Sequence, residues 1–564
     1  MFDIRDLNGE RIVALEASTL CGAFQATVAE RPGQLAHRTP DGGVSFTFGE
    51  FAERVRALAE GLHSLGVRPG DTVALMLRNR PEFALADTAV MHLGATAFSV
   101  YNTSSPEQIN YVFGNAGNRV VVTETMMLPR VLQARTPGLD HIVLVDGSAD
   151  GALTLDEVAG LPSRGFDFEE AWRAVQPDDV VTLIYTSGTT GPPKAVQITH
   201  ANVMFEARAV AQALPVRVGG RGISYLPSAH VGDRVLGHYC GSLCFGGTTT
   251  DVADYRQIGA VLPEVRPTTF GAVPRVWEKI KGAIEAAGLK SPAQLPEPVK
   301  AAVRARMGLD QADFCISSAA PASPEVLRFF NDLGVVLNEG WGMSEASCFA
   351  TINPPRDVRL GTVGRALPGV ELKLLNDGEL LVRAPLVMKG YRNDPARTAE
   401  AIDADGWLHT GDVAQIDADG YVTIVDRKKE IIINSAGKNM SPANIEHRLR
   451  GSSPLVAFAV CIGDRRAYNT ALLVLDPEAA TRWAAERGLV SRLEEIGAHP
   501  DLRAALQEAV DAANAGLSRV EQIKRFAVIA ADWQPGGDEL TPTSKLKRRP
   551  IAEKYREVIE SLYG

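Results

Sequence analysis

Between residues 47 and 145, hydrophobic positions switch between helical spacing and short continuous apolar runs. A capping box at Thr47 and Glu50 precedes apolar residues spaced three or four apart, which predicts a helix that ends at Gly66. The apolar run 72–77 that follows predicts a buried strand. Further helices are predicted at 81–93 and from Ser105, and further strands at 95–100, 120–122 and 142–145. These repeated strand–helix–strand units predict a mainly parallel sheet covered by helices on both faces.

The pattern changes near residue 370. Short strands are predicted at 370–375, 378–383 and 421–425, separated by Asn-Asp-Gly and Asp-Ala-Asp-Gly turns that favour an antiparallel β-subdomain. After Arg427 the pattern indicates a small α+β unit, with a helix at 442–449 and strands at 455–462 and 470–475. We therefore predict an α/β protein with a large N-terminal domain, residues 1–427, and a small C-terminal domain, residues 428–564.

Composition and charge narrow the class of protein. The chain has 564 residues, of which 45% are hydrophobic, so it can bury more than one core. Its net charge of −10 argues against nucleic acid as the main partner. The six scattered cysteines include Cys240 and Cys244, spaced for one helix face, and we expect buried reduced thiols. With acidic residues at the N-terminus and no long apolar run, we expect a cytoplasmic protein.

The strongest local signal lies between residues 183 and 194. An apolar strand leads into a loop of small hydroxyl residues and glycines that ends at Lys194. Its members are Thr186, Ser187, Gly188, Thr189, Thr190 and Gly191. Glycines let backbone N–H groups converge, and hydroxyls and a lysine add donors and charge, so this loop predicts a polyphosphate site. The spacing differs from a Walker A loop.

The letters YTSGTTGPPK at 185–194 resemble the signature of the AMP-forming adenylating superfamily, which includes acyl-CoA synthetases, peptide-synthetase adenylation domains and beetle luciferase. Six further segments resemble its motifs in the same order: YLPSAH at 225–230, SSAAP at 317–321, GWGMSE at 340–345, GWLHTGD at 406–412, DRKKE at 426–430 and LTPTSKLKRR at 540–549. The resemblance implies a large domain followed by a small mobile domain, with ATP, Mg²⁺ and coenzyme A as ligands.

The resemblance also implies catalytic residues. Adenylation brings a carboxylate to the α-phosphorus of ATP, so positive charge and a metal must offset the repulsion. Glu345 matches the carboxylate that faces Mg²⁺, with Thr186 beside the metal, and Lys194 belongs to the phosphate loop. Lys545 matches the lysine that bridges the incoming carboxylate and the α-phosphate. Relatives have Ser-Gly-Lys there, whereas this chain has Ser544 in place of the glycine, which leaves the turn open.

The nucleotide contacts follow from the same resemblance. Asp412 is expected to accept hydrogen bonds from the ribose hydroxyls, and Arg427 to reach the nucleotide. Trp341 stands at the usual tyrosine position and is expected to stack on adenine. Gly342 and Ser344 complete this group, Ser344 replacing the threonine of most relatives but keeping the hydroxyl.

The remaining candidates concern the second half-reaction and the acyl group. Lys429 matches the hinge about which the C-terminal domain swings, and Gly437 and Lys438 match the segment that lines the pantetheine tunnel. His230 matches a gate or carboxylate-side residue. The expected acyl pocket contains Ala319 and Ala320, which replace a glycine pair of many relatives, and Gly232.

Three functions remain open at this point. The resemblance is closest to bacterial long-chain fatty acyl-CoA synthetases, which implies a ligase that joins a fatty acid to coenzyme A. The second is an enzyme that loads a carrier protein, acts on an aryl or branched acid, or oxidises like a luciferase. The third is a nucleotide- or lipid-binding protein that has lost catalysis. The expected partners are fatty acid, ATP and coenzyme A, and a peripheral membrane contact and a homodimer both stay open.

Overall fold

The structure, a computed structural model, describes residues 4–186, 192–435, 438–489, 492–541 and 544–564. Its strands are β1 Leu35–Arg38, β2 Ser45–Thr47, β3 Thr72–Met76, β4 Thr96–Ser99, β5 Val120–Thr123, β6 His141–Leu144, β7 Leu153–Thr154, β8 Val180–Thr186, β9 Lys194–Thr199, β10 Arg221–Ser224, β11 Thr248–Asp251, β12 Thr269–Ala272, β13 Phe314–Ser317, β14 Leu337–Trp341, β15 Thr351–Ile352, β16 Arg365–Ala366, β17 Glu371–Leu374, β18 Glu379–Arg383, β19 Gly390–Tyr391, β20 Leu408–Ile416, β21 Val422–Arg427, β22 Ile432–Ile433, β23 Asn439–Met440, β24 Val456–Ile462, β25 Asn469–Leu475 and β26 Ile523–Ile529.

The α-helices alternate with these strands. They are α1 Leu20–Glu30, α2 Phe48–Ser64, α3 Pro81–His92, α4 Pro106–Ala116, α5 Leu128–Gln133, α6 Leu155–Ala159, α7 Phe168–Ala174, α8 His200–Ala213, α9 Ile258–Val265, α10 Pro274–Ala286, α11 Glu297–Met307, α12 Pro324–Asp332, α13 Pro395–Ala401, α14 Pro442–Gly451, α15 Pro477–Ala485, α16 Leu493–Ala498, α17 Pro500–Ala515, α18 Arg548–Lys554 and α19 Arg556–Ser561. A π-helix spans Gly232–Cys244, and short 3₁₀ helices include Ser344–Ala346.

The largest sheet has the strand order β19-β9-β8-β4-β3-β5-β6-β7. Its pairs are parallel from β8 to β7, and antiparallel between β8 and β9 and between β9 and β19. Alternate residues of β3 belong to two hydrophobic clusters, with Val73 and Leu75 in one and Ala74 and Met76 in the other. Both faces of the sheet are therefore covered, which confirms the predicted helix-covered parallel sheet.

Local signals set the helix starts that the sequence predicts. Thr47 Oγ1 accepts the Glu50 N–H at 3.3 Å, and Glu50 Oε2 accepts the Thr47 N–H at 2.7 Å, so the predicted capping box begins α2. Ser105 and Gln108 form the same reciprocal pair at the start of α4. Caps of this kind stabilise a helix by about 1 kcal/mol each, because they satisfy backbone donors that the first turn leaves unpaired.

Two further sheets were not predicted from the hydrophobic pattern. One has the order β10-β11-β1-β2, and the other has the order β12-β13-β14-β15-β16. The second sheet carries functional candidates, since Trp341 is the last residue of β14 and the 3₁₀ helix Ser344–Ala346 follows it. These strands are short and come from distant parts of the chain, so no local alternation marked them.

The predicted antiparallel β-subdomain is confirmed. Strands β17, β18, β20 and β21 form one antiparallel sheet, in which Asp412 of β20 lies opposite Arg427 of β21. Beyond Arg427, β24-β25-β26 form a separate three-stranded sheet, and α14 packs on it with its own hydrophobic cluster. The predicted helix at 442–449 corresponds to α14.

The π-helix is another feature that the sequence did not indicate. It contains Cys240 and Cys244, which are buried and unpaired like the other four cysteines. Its Arg234 is fully buried, pairs with Asp87 of α3 and donates to Ser99 Oγ at 2.6 Å. A buried guanidinium needs such partners, because an unpaired charge in the core is strongly destabilising. Within the described residues, no helix combines the length and apolar character needed to cross a bilayer.

Candidate active site

The carboxyl end of β14 and the first residue of β9 bring two predicted catalytic residues to one place. Lys194 Nζ donates to Tyr391 Oη at 3.2 Å and lies 4.6 Å from the centre of the tyrosine ring. Tyr391 Oη in turn donates to Glu345 Oε1 at 2.8 Å. The predicted phosphate lysine and the predicted magnesium carboxylate are thus joined through one phenol, although 151 positions separate them along the chain.

Glu345 has the properties of a single-carboxylate magnesium ligand. Its residue is 7% exposed, and its Oε2 accepts no hydrogen bond from the described residues. Thr186, the last residue of β8, lies opposite Lys194 in the sheet, and within the described residues its hydroxyl makes a single long contact, of 3.5 Å, to the Lys194 carbonyl. A carboxylate oxygen that accepts no hydrogen bond from the described residues fits Mg²⁺, which takes one or two protein ligands together with phosphate oxygens and water.

A second group of predicted residues meets at the β14 and β20 strands. Trp341 Nε1 donates to Asp412 Oδ2 at 2.8 Å, and Arg427 Nε lies 3.2 Å from Asp412 Oδ1. The latter pair follows from strand register, since the two residues are direct partners across β20 and β21. The three predicted nucleotide residues therefore form one connected cluster.

Asp412 carries a buried oxygen with unused accepting capacity. Oδ1 accepts no hydrogen bond within the described residues, although the Arg427 side chain lies beside it. Burial raises the pKa of the carboxyl, while Arg427 and the indole N–H of Trp341 lower it. A buried acceptor without a donor is costly, so the site is suited to a ligand that donates, such as a ribose hydroxyl.

Lys545 comes from the C-terminal part of the chain and faces this cluster. Its pKa is lowered by desolvation and by the positive charge of Arg427. The carboxylates of Asp412, Glu430 and Glu345 act in the opposite direction. Lys545 is therefore within electrostatic reach of both Asp412 and Glu345, and its residue is exposed to solvent.

The turn before Lys545 keeps the conformation that a glycine would favour. Ser544 has φ +60°, in the left-handed region, and the Lys545 N–H donates to Thr541 Oγ1 at 3.0 Å. A non-glycine residue pays about 1–2 kcal/mol for this conformation. The replacement of the relatives' glycine by serine therefore preserves the turn at a cost in strain.

His230 is the next candidate, at the start of the π-helix. Burial, with a smaller contribution from the charge of Lys545, lowers the pKa of His230 to about 4. Its Nδ1 accepts the Gly232 N–H at 3.2 Å, so the neutral ring carries its proton on Nε2. The imidazole is consequently a fixed neutral donor near Lys545.

The other candidates lie around these clusters. Gly342 is required by close packing, because a Cβ there would come within 1.6 Å of the Cys348 carbonyl oxygen. Ser344 begins the 3₁₀ helix that carries Glu345. Ala319 and Ala320 are exposed in the loop after β13, and Ala319 adopts φ +72°. That left-handed angle is the one expected where many relatives have glycine.

The candidates for the second half-reaction lie in the segment that follows β21. Lys429 is exposed in the turn after β21, and the Lys438 N–H donates to Asn434 Oδ1 at 2.9 Å next to β23. Several predicted residues fall outside the described part of the chain, namely Ser187, Gly188, Thr189, Thr190, Gly191 and Gly437.

Sequence reasoning missed Tyr391, which touches both Lys194 and Glu345. It lies in the short strand β19, whose two residues pair with β9. A Gly-Tyr pair in a short strand reads as ordinary core, so only the sheet pairing reveals that its hydroxyl reaches the site.

Comparison with known proteins agrees with this geometry. The family described as AMP-binding enzyme matches residues 24–392, and the AMP-binding enzyme C-terminal domain matches residues 429–564. The putative fatty-acid–CoA ligase fadD11 of Mycobacterium tuberculosis is 51% identical over 453 residues, covering 74% of this chain and 79% of its own. The long-chain-fatty-acid–CoA ligase FadD15 of the same species is 34% identical over 561 residues, covering 92% of each chain.

Solved structures share the fold at low sequence identity. The anthranilate CoA ligase AuaEII, in complex with anthranoyl-AMP, has a TM-score of 0.77 at 20% identity, covering 96% of this chain and 98% of its own. The o-succinylbenzoate CoA synthetase MenE from Bacillus subtilis, in complex with ATP and magnesium, has a TM-score of 0.71 at 23% identity, covering 93% and 98%. Ordered motifs, converging side chains and both family matches lead to one assignment: the chain belongs to the AMP-binding enzyme family.

Proposed function

We propose that this protein is a long-chain-fatty-acid–CoA ligase that works through an acyl-AMP intermediate. The names of the relatives fadD11 and FadD15 support a fatty acid as substrate and coenzyme A as acceptor. The convergence of Lys194, Glu345, Asp412 and Lys545 supports retained catalysis rather than simple binding, because a binding protein would have no need of a lysine delivered from a second domain.

In the first half-reaction, a carboxylate oxygen of the fatty acid attacks the α-phosphorus of ATP. The bond from that phosphorus to the bridging oxygen breaks, and pyrophosphate leaves with the electron pair. Lys545 bridges the carboxylate and the α-phosphate, and Lys194 holds the outer phosphates. Glu345 and Thr186 would hold Mg²⁺, which would offset phosphate charge.

The nucleotide is held by the second cluster. Asp412 accepts hydrogen bonds from the ribose hydroxyls through its buried Oδ1, and Arg427 fixes that carboxylate and reaches the nucleotide. Trp341 stacks on adenine while its N–H stays bonded to Asp412. Gly342 allows its backbone to pack closely against the Cys348 carbonyl. Ser344 offers a hydroxyl to the phosphates.

The second half-reaction requires a different arrangement of residues 428–564 relative to residues 1–427. In the described arrangement, Arg275 of α10 pairs with Asp476, and Glu278 of α10 lies 3.0 Å from Arg450 Nη2. We propose that these contacts break as the C-terminal domain turns about Lys429, which withdraws Lys545 from the site.

The turn brings a different segment to the acyl-AMP. Gly437 and Lys438 then line the tunnel for the pantetheine arm of coenzyme A. The thiol sulfur attacks the acyl carbonyl carbon, the bond to the AMP oxygen breaks, and the thiol proton passes to solvent. The acyl chain lies near His230, Gly232, Ala319 and Ala320, where the neutral imidazole can donate to the carboxylate end.

The observation that carries this proposal is the hydrogen-bonded chain from Lys194 through Tyr391 to Glu345, which joins the predicted phosphate lysine to the predicted magnesium carboxylate. The test measures AMP release from saturated acids of two to twenty carbons, with and without coenzyme A. Release that needs coenzyme A and is greatest with long chains is expected. If acyl-AMP accumulates in the presence of coenzyme A and is consumed only when a carrier protein is added, the protein loads a carrier and is not a coenzyme A ligase. No release with any acid would refute the proposal.

A further inference from the structure

Tyr391 is held rigidly beside the site by its backbone. The Lys389 N–H donates to the Gln197 carbonyl at 3.0 Å, and the Arg392 N–H donates to the Ala195 carbonyl at 2.9 Å. These bonds flank Tyr391 on both sides and fix its register along β9. The phenol therefore starts from a backbone that cannot slide relative to Lys194, the first residue of the same strand.

A second set of contacts fixes Tyr391 from the opposite side. Its N–H donates to Thr398 Oγ1 of α13 at 2.9 Å. Gly390 has φ +143°, and a Cβ at that position would lie 2.8 Å from Thr398 Cγ2. The preceding Met388 N–H donates to the Glu345 carbonyl at 2.9 Å, so one short segment holds both the backbone and the side chain of Glu345.

The hydrogen-bond chemistry of the three side chains allows one direction only. Lys194 has donors and no acceptor, and the ionised Glu345 has acceptors and no donor. Tyr391 Oη must therefore accept from the lysine and donate its single proton to the carboxylate.

We propose that Tyr391 is a positioning residue for Mg·ATP, whose phenol keeps the Lys194 ammonium and the Glu345 carboxylate apart so that each charge stays available to the ligand. The inference rests on the roles proposed above for Lys194 and Glu345. Without the hydroxyl between them, the flexible lysine can pair directly with the carboxylate. Such a pair would compete with the phosphates for the lysine and with the metal for the carboxylate.

The proposal predicts different effects on the binding of Mg·ATP and of AMP. Mg·ATP uses the outer phosphates and the metal, whereas AMP has neither, and its ribose end is held by the Asp412 cluster instead. A defect at Tyr391 should therefore weaken Mg·ATP and leave AMP unchanged. A general loss of structure would weaken both.

The test is the Tyr391→Phe variant of the full chain, titrated with Mg·ATP and separately with AMP in the absence of any acid. We expect Mg·ATP to bind about tenfold more weakly, from the loss of a hydrogen bond to a charged group, and AMP to bind within about twofold of the original. Tyr421→Phe is the matched control, since it removes a buried phenol that donates at 2.6 Å to the Asp357 carbonyl, and it should change neither affinity.

A second arm tests whether the effect acts through the lysine. In a Lys194→Met background, adding Tyr391→Phe should weaken Mg·ATP by less than about twofold, because the ammonium that could collapse onto Glu345 is gone. A full tenfold effect in that background, equal weakening of both nucleotides, or unchanged Mg·ATP binding would overturn the proposal. These measurements record binding and need no turnover. A negative ligase assay would therefore refute the proposed function without deciding the role of Tyr391, and the binding results decide that role on their own.

Discussion

The two sides of the active site are built in opposite ways. On the N-terminal side, Lys194, Glu345 and Asp412 lie on or near strands of three different sheets; hydrogen bonds through Tyr391 join Lys194 to Glu345, and Asp412 is bonded to Trp341. On the C-terminal side, Lys545 lies on a loop between β26 and α18. From this difference we expect the N-terminal side to be formed before Mg·ATP binds, and the loop that carries Lys545 to be movable.

The contacts that hold the C-terminal side in place are consistent with withdrawal. Ion pairs join α10 to the C-terminal domain, including Arg275 with Asp476 and Lys279 with Glu478 at 3.6 Å. Side chains of these pairs are partly exposed, up to 79% for Glu478. The exposed Lys279–Glu478 pair contributes only about 0–1 kcal/mol, whereas the side chains of Arg275–Asp476 and Arg450–Glu278 are only 12–32% exposed, so withdrawal must also break these less exposed pairs.

The largest expected effect comes from removing the positive charge of Lys545. Lys545→Ala should slow acyl-AMP formation by at least about a hundredfold, because a positive charge at the transition state is lost. Thioester synthesis from supplied acyl-AMP should stay within about threefold, since Lys545 is then withdrawn. The two rates are measured separately as pyrophosphate release and acyl-CoA formation.

The control for that experiment is Arg549→Ala, which removes an exposed charge from the same segment. It should leave both rates unchanged. Equal loss in the two assays for Lys545→Ala would mean that the two sides do not act in separate half-reactions.

The next largest effect is expected at Glu345, on the N-terminal side of the active site. Glu345→Gln keeps the size and the hydrogen bond from Tyr391 but removes the negative charge, so the Mg²⁺ concentration needed for half-maximal rate should rise roughly ten- to a hundredfold. The preferred chain length of the acid should stay the same. A Mg²⁺ titration at saturating ATP measures the first quantity, and a shifted chain-length profile would contradict a metal role for Glu345.

A smaller effect follows from pH. The pKa of Lys545 is lowered, so its ammonium loses the proton at a lower pH than an ordinary lysine, and charge-dependent adenylation should decline as pH rises. Between about pH 8 and pH 10 we expect adenylation to fall several-fold relative to thioester formation. In Lys545→Arg, where the side chain stays charged, the ratio should not change with pH. A parallel decline in that variant would assign the titration to another group.

Loosening the interface should give a modest effect. Arg275→Gln removes the pair with Asp476 without touching either cluster, and adenylation should slow about two- to fivefold while thioester formation is unchanged or faster. Arg173→Gln, at an exposed pair with Glu169 remote from the interface, is the control. A slower thioester step in Arg275→Gln would show that the pair does not favour the adenylating arrangement.

The smallest effect is expected at Ser544. Its φ of +60° suits glycine, so Ser544→Gly should relieve strain and keep adenylation within about twofold of the original. Ser544→Val, which is poorly tolerated at positive φ, should slow adenylation and spare the thioester step. Single-turnover rates of acyl-AMP formation compare the two, and equal rates would show that this turn does not position Lys545.

Wherever the signal was local, the sequence determined the result. The capping boxes, the parallel strands β3, β4, β5 and β6, and the ordered motifs all depend on residues close together in the chain, so pattern and spacing were sufficient. The pairing of Asp412 with Arg427 was not among the predictions, because the strand Leu408–Ile416 was not recognised in the sequence, and the register of β20 and β21 reveals it.

Tertiary structure alone decided which side chains meet. Tyr391 reaches Lys194 across 197 positions because β19 pairs with β9, and no local pattern encodes that register. The same holds for the π-helix, whose Arg234 is buried against Asp87 of α3. It also holds for Ser544, because a sequence without the expected glycine did not show whether the left-handed turn would be kept. The Tyr391 and Arg234 contacts join segments distant in sequence, whose free energy becomes available only when the tertiary fold has formed, whereas the turn at Ser544 is closed locally by the bond from the Lys545 N–H to Thr541.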